Sequence, residues 1–351
     1  LACSRVQPLR DRAHHLAMPS QLGQGDAHWT DCPRLPLPEA LPHAHLHPAA
    51  WWRCNPDKSC AREVFTAYSA AMPDWLQVIL LGLIEGITEF LPISSTGHLL
   101  LAEQWLPETL FEDDGARERF MVFIQSGAVL AVIAVFKERV RELITQWRQT
   151  EVRDYLIKMT VTFLITAVGG LALKAAGWEL PNNSAPIAWA LLIGGALFIV
   201  IEQRNVKTKN AEKENGSLAT ISWTIAVAFG LAQLVAMVFP GASRSGTTIL
   251  IGMALGMRRG EAVEYSFLLG VPTLLAAGIY QLMAAISEDG SALVAEAPRL
   301  ALGTVVSAIT AFAAVKWLLS YLQNNTFIVF GWYRIGLGIL ILLLAAKHTI
   351  E

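Results

Sequence analysis

Apolar segments follow one another along most of this chain, at about 75–90, 94–106, 119–136, 155–176, 185–202, 219–239, 244–256, 261–286, 299–319 and 328–347. A helix needs about 20 apolar residues to cross a bilayer. Six of the segments stand as separate full spans. The other four form two pairs, 75–90 with 94–106 and 219–239 with 244–256, and several of their members are too short to cross alone. Each pair reads as a re-entrant helical hairpin. The expected fold is an all-α polytopic membrane protein with six transmembrane helices and two re-entrant hairpins.

Composition agrees. Of the 351 residues, 54% are hydrophobic and only 16% charged, whereas a soluble domain carries nearer a quarter charged residues. No basic block points to nucleic acid, and the net charge of −2 says nothing of partners. The sequence leaves a homodimer open. Residues 1–71 differ from the rest. They hold all four Cys, six of the eight His and half of the Pro, and show neither helical nor alternating periodicity. They are expected to be a disordered, non-native or misassigned extension, with Met72 as the natural start of a domain running over 72–351. Cys54, Cys60 and nearby His residues have no paired zinc-ligand spacing.

The two halves resemble each other. Placing Pro92 over Pro240 aligns Gly82 with Gly230, Leu83 with Leu231, Glu85 with Gln233 and Ser95 with Ser243. One repeat then covers about 75–202 and the other about 219–347. A hairpin returns to its own side, so the three crossings that follow it invert the second half, an architecture that places broken helices near the midplane. Loop charges orient the bundle. The 137–154 and 203–218 loops are basic and should be cytoplasmic, and the 287–298 loop should lie outside.

The hairpin turns carry the chemistry. The first reads Glu85-Gly86-Ile87-Thr88-Glu89, then Ser94-Ser95-Thr96-Gly97-His98; the second reads Pro240-Gly241-Ala242-Ser243-Arg244-Ser245-Gly246-Thr247-Thr248. Ionisable groups inside hydrocarbon are costly and mark function, and irregular backbone at that depth needs protein or a wet cavity to satisfy it. Glu85 and Glu89, spaced i, i+4, share a helix face and could hold a divalent cation or handle a proton. Ser94, Ser95 and Thr96, and Ser243 to Thr248, sit where capping residues sit, so two helix N-termini offer free N–H groups to an anion. Arg244 adds a planar fork suited to phosphate oxygens. Ser95 is a candidate nucleophile with Glu89 or His98 as base, or His98 attacks phosphorus itself. Gln125 lies inside a span, and Glu202, Lys174 and Lys316 are expected at the interface.

At these residues the chain resembles the bacterial undecaprenyl-diphosphate phosphatase family of the bacitracin-resistance type. Its acid-x-x-x-Glu motif falls on Glu85 and Glu89, and its Pro-Gly-x-Ser-Arg-Ser-x-x-Thr motif on Pro240 to Thr248. Glu264 to Leu269 also looks familial. The resemblance covers about 74–347. It implies hydrolysis of undecaprenyl diphosphate to undecaprenyl phosphate and phosphate, recycling the lipid carrier of cell-wall synthesis and giving bacitracin resistance. It also implies a site opening to the periplasmic side of the inner membrane, aided by Mg²⁺ or Ca²⁺. By this resemblance Glu85, Glu89, Ser95, His98 and Arg244 form the functional set, and Ser94, Thr96, Ser243, Ser245 and Thr248 contact phosphate. The competing class is a transporter of a lipid phosphate or other anion, since inverted repeats with broken helices are also transporter architecture. A histidine-nucleophile lipid phosphatase would need a second His after Ser243-Arg244, and none follows.

Overall fold

The structure, a computed structural model, describes residues 72–103, 106, 111, 114–178, 184–208 and 221–347. The extension expected over 1–71 lies outside the described residues. Ten helices are present among those described: α1 Asp74–Thr88, α2 Ser95–Glu103, α3 Asp114–Val135, α4 Lys137–Thr145, α5 Thr150–Ala175, α6 Ser184–Thr208, α7 Trp223–Val238, α8 Arg244–Ala254, α9 Arg259–Leu322 and α10 Ile328–Ala346. Among the described residues, six stretches are long and apolar enough to cross a membrane: Gly115–Val135, Thr150–Ala175, Ser184–Asn205, Arg259–Ser287, Leu293–Leu322 and Ile328–Ala346. The protein is an all-helical, multi-pass membrane protein.

Two of those stretches belong to α9, which is helical throughout its 64 residues. It cannot be straight. From Gly278 to Thr304 a straight helix would rise about 39 Å. Yet a Cβ on Gly278 would lie 2.5 Å from Ser126 Oγ, and one on the adjoining Gly127 would lie 2.4 Å from the Thr304 carbonyl oxygen. The element therefore folds back on itself along α3. Its reversal sits at the α3 N-terminal end, where Gln281 donates to Glu118 (2.7 Å) and Arg119 holds Glu296 (2.7 Å). The loop expected over 287–298 is thus helical. The expected 137–154 loop is also partly helical: α4 buries Leu143, while Arg139 pairs with Glu142 and with Glu264 of α9.

The two short pairs, α1–α2 and α7–α8, start and end on opposite sides of the bundle from one another. Asp74 of α1 meets Arg299 (3.0 Å), and Glu103 at the end of α2 pairs with Arg117, both beside the α3 N-terminal end. At the other end Lys158 lies over the Trp223 ring at the start of α7, and Asn205 donates to the Met253 carbonyl near the end of α8. Each pair therefore begins and finishes at one face.

The shared pattern of the halves extends to hydrogen bonds. Thr310 donates to the Gly82 carbonyl (3.5 Å), and Thr166 donates to the Gly230 carbonyl (3.4 Å). Past the turns the register shifts by one residue. Ser94 and Ser243 are the only non-glycine residues with positive φ among those described (74° and 69°). Each accepts from the N–H three residues on, Gly97 to Ser94 Oγ (3.3 Å) and Gly246 to Ser243 Oγ (3.1 Å). Ser243 therefore corresponds to Ser94, not to Ser95 as the alignment expects. The second turn holds one more residue between its glycine and its capping serine, which an ungapped alignment does not see.

Glu202 is a correction. Expected at the interface, it is fully buried, held by both Arg259 Nε (2.7 Å) and Nη2 (2.6 Å), and accepts from the Phe327 backbone N–H (2.9 Å). It ties α6, α9 and the start of α10 together. Lys174 and Lys316 are exposed, and Gln125 is half-buried on α3.

Candidate active site

The first residue of each half-helix after its capping serine reaches the same carboxylate. Ser95 Oγ donates to Glu89 Oε2 (2.8 Å), and Arg244 Nη2 donates to Glu89 Oε1 (2.9 Å). Glu89 caps the end of α1 and is nearly buried; its side chain and that of Arg244 are 9% and 18% exposed. The backbone bends that place these groups are costly, since positive φ strains any residue with a Cβ by about 1–2 kcal/mol. The capping bonds and the tight packing of both turns hold them.

Arg244 is braced on three sides. Its Nη1 donates to Thr273 Oγ1 of α9 (3.3 Å), and its guanidinium lies 5.6 Å from the centre of the Phe90 ring. A Cβ on Gly270 would come within 2.4 Å of Nη1, so glycine there makes room for the fork. Arg244 Nε is buried with no hydrogen-bond partner, a spare donor on a cation already facing the turns.

Ser245 donates to the backbone carbonyls of Glu89 (3.3 Å) and Leu91 (3.4 Å), and lies 3.1 Å from Ser243 Oγ. It stitches one turn to the other. Thr248 pairs with Ser266 of α9 (2.6 Å) and donates to the Arg244 carbonyl (2.8 Å). Thr96 is exposed at the mouth of α2. His98 points away from Ser95 and Glu89: Nδ1 meets the Ser94 carbonyl (2.7 Å) and Nε2 the Tyr333 hydroxyl (2.6 Å).

Glu85 is the odd member. It is fully buried, one turn before Glu89, and neither of its oxygens has a hydrogen-bond partner. Among the described residues no group of three or more His, Cys, Asp or Glu is set to hold a metal alone. Two carboxylates one turn apart, one of them unsatisfied, nevertheless match the way Mg²⁺ is usually held, by one or two carboxylates together with substrate phosphates. The residues present fit a cation shared with a diphosphate.

Sequence reasoning missed four groups here. Thr273 and Ser266 lie on α9, far from the motifs in sequence, although Ser266 falls in the Glu264–Leu269 stretch that drew notice. Tyr333 and Arg334 lie on α10. Arg334 is completely buried; Nη1 donates to the Pro92 carbonyl (3.2 Å), and Nη2 to those of Ala190 (3.2 Å), Gly241 (3.2 Å) and Ala242 (3.0 Å). An arginine in the last apolar span is a signal in its own right.

Residues 78–340 match the model of the family described as bacitracin resistance protein BacA. The chain belongs to that family. Among curated proteins, the undecaprenyl-diphosphatase of Rhizobium etli (strain CIAT 652) is 47% identical over 279 residues, covering 79% of this chain and 99% of the relative. That of Xanthomonas oryzae pv. oryzae (strain PXO99A) is 46% identical over 274 residues, covering 78% and 97%. That of Xylella fastidiosa (strain 9a5c) is 45% identical over 266 residues, covering 75% and 96%. Both turns and every site residue named above fall within the stretch matched by the BacA model.

Proposed function

We propose that this BacA-family protein is an undecaprenyl-diphosphatase, an integral membrane hydrolase that removes the terminal phosphate of undecaprenyl diphosphate. The observation that carries the chemistry is the Ser95–Glu89–Arg244 contact chain: a hydroxyl, a base within 2.8 Å of it, and a guanidinium on the base's other oxygen. A serine is a weak nucleophile until a base reaches it, and phosphoryl transfer needs positioning and charge stabilisation above all.

In this reading Ser95 Oγ attacks the terminal phosphorus and its proton passes to Glu89 Oε2. The bond from phosphorus to the bridging oxygen breaks and undecaprenyl phosphate leaves with that oxygen. Water then attacks the phosphoserine, the P–Oγ bond breaks, Glu89 returns its proton to Ser95 Oγ, and the water's two protons leave on the inorganic phosphate. Arg244 turns its fork and its free Nε to the phosphate oxygens, and the N–H groups of the two helix N-termini face them. A divalent cation held by Glu85 and Glu89 would neutralise charge on the diphosphate. Ser94, Thr96, Ser243, Ser245 and Thr248 shape the phosphate-binding wall.

The paired hydrogen bonds and the opposed entry of α1 and α7 support two inverted repeats with re-entrant hairpins. The basic residues of the 137–154 and 203–218 stretches support a cytoplasmic place for them. The site then opens to the periplasmic side of the inner membrane, where the recycled carrier supports cell-wall synthesis and bacitracin resistance. Single cysteines in a Cys-free background, probed with an impermeant reagent, test the orientation; labelling of position 212 from outside intact cells would reverse it.

Purified protein in detergent should release phosphate from undecaprenyl diphosphate with no membrane gradient. Rapid quench with labelled substrate should trap an acid-stable phosphoserine at Ser95. Release without any adduct, and with full activity in Ser95→Ala, would remove the covalent step.

A further inference from the structure

His98 bonds neither Glu89 nor Ser95; its ring nitrogens meet a backbone carbonyl and a phenol instead. Its Nδ1 lies 2.7 Å from the Ser94 carbonyl oxygen, which can only accept, so Nδ1 carries the proton and donates. Its Nε2 lies 2.6 Å from the Tyr333 hydroxyl, and the two rings stack within 5° of parallel. Both ring nitrogens are spent.

The second turn shows what the first of these bonds is for. With Ser94 matched to Ser243, the residue equivalent to His98 is Thr247. Thr247 Oγ1 lies 3.0 Å from both the Ser243 and the Arg244 carbonyl oxygens and shares its one proton between them. In both halves, then, the side chain four residues after the positive-φ serine pins that serine's carbonyl. The second turn does it with a hydroxyl that has no acid–base use. The first does it with an imidazole steadied by a phenol from α10. The next residue on α10, Arg334, holds the carbonyls of Pro92, Gly241 and Ala242, one on the first turn and two on the second.

We propose that Tyr333 and His98 form a positioning pair: Tyr333 fixes the imidazole, and the imidazole holds the Ser94 backbone so that the α2 N-terminus and Ser95 face Glu89. His98 is then neither the base for Ser95 nor a phosphorus nucleophile. Tyr333 and Arg334 together make α10 the brace of both turns. The pairing itself stands on geometry; only its activity readout rests on the phosphatase reading.

The test is a substitution series in the full chain, purified in detergent. His98→Thr copies the second turn's solution, and His98→Asn keeps a donor where Nδ1 stands. Both should keep at least about a decade more kcat than His98→Ala, with KM little changed. His98→Gln, which keeps polarity but not the Nδ1 donor, should fall with Ala. Tyr333→Phe loses one hydroxyl at a half-exposed position and should lower kcat severalfold, yet have no further effect on His98→Thr. Independently of activity, diethyl pyrocarbonate should modify His98 severalfold faster in Tyr333→Phe than in the unaltered protein, read by peptide mass. If Thr and Asn at position 98 are as inactive as Ala while their melting points match the parent, His98 acts chemically and the proposal falls. Equal modification rates with and without the Tyr333 hydroxyl would also overturn it. If the unaltered protein releases no phosphate, the functional reading fails, and the modification rates still decide the pair.

Discussion

Glu85 and Gln233 occupy matching places on α1 and α7, and their surroundings differ in a telling way. Gln233 is buried and satisfied: its Nε2 donates to Thr166 Oγ1 (2.8 Å), the same hydroxyl that holds the Gly230 carbonyl. Glu85 is buried just as deeply, but Thr310 is turned to backbone carbonyls and leaves both carboxylate oxygens without a partner. The second half shows what a packing residue looks like at this position. The first half leaves a buried carboxylate unsatisfied one turn before Glu89. The first turn carries Glu85, Glu89 and Ser95, and the second carries Arg244, which reaches across to Glu89.

The largest effects should come from the two residues that follow the capping serines. Ser95→Ala should abolish phosphate release while the protein still binds the lipid diphosphate. Arg244→Ala should lower kcat by two to three decades, or about 2–4 kcal/mol of transition-state stabilisation. Arg244→Lys should also be badly impaired, since the ammonium cannot span the planar fork. Near-normal turnover in Arg244→Ala would dissolve the division of labour between the turns.

Next come the paired positions themselves. Glu85→Gln should abolish the response of activity to added Mg²⁺ or Ca²⁺ and to chelator, whereas Gln233→Ala should leave that response intact and act on stability alone. Titration of metal against activity in the two variants checks this. A metal response that survives Glu85→Gln would take the cation away from α1.

Much of this was readable before any coordinates. Hydropathy alone places six spans and two short pairs, because a bilayer sets one length for every crossing helix. The Ser95, Glu89 and Arg244 set was legible because each of them interrupts an apolar run with polar chemistry. The rest was hidden for physical reasons. The break between the two spans of α9 was legible at 287–298, but not that the chain stays helical through its reversal there. Glu202 looked interfacial because its partner, Arg259, lies 57 positions away in sequence. The one-residue shift that matches Ser94 to Ser243 shows only in φ and in capping bonds, and with it goes the equivalence of His98 and Thr247.

The capping serines should give a smaller and more even result. Replacing either by Ala removes a cap worth about 0.5–2 kcal/mol and keeps the positive-φ strain. Replacing either by Gly relieves the strain, worth about 1–2 kcal/mol, and loses only a few tenths as a cap. Ser94→Gly and Ser243→Gly should therefore melt close to the parent, and the two Ala variants well below it. Ser243→Ala should be the worse of these, because Ser243 Oγ also meets Ser245 Oγ. A destabilising Gly in either turn would mean that the serine backbone is not under strain.

The smallest expected effect sharpens the comparison most, because it touches only the frame. Thr310→Val and Thr166→Val each remove a hydroxyl that reaches a glycine carbonyl of another helix, Gly82 of α1 and Gly230 of α7. Interhelical hydrogen bonds inside membranes average about 0.6 kcal/mol by double-mutant cycles. Thr310→Val should cost about that much. Thr166→Val should cost more, because it also strips the acceptor from the buried Gln233 amide, and an orphaned buried donor costs about 1–3 kcal/mol. Removing the amide at the same time should recover part of the difference, so Thr166→Val combined with Gln233→Leu should be more stable than Thr166→Val alone. Unfolding in mixed micelles measures all three. Equal losses in the two single variants would mean that Gln233 finds another partner, and the contrast between Gln233 and Glu85 would then lose its structural half.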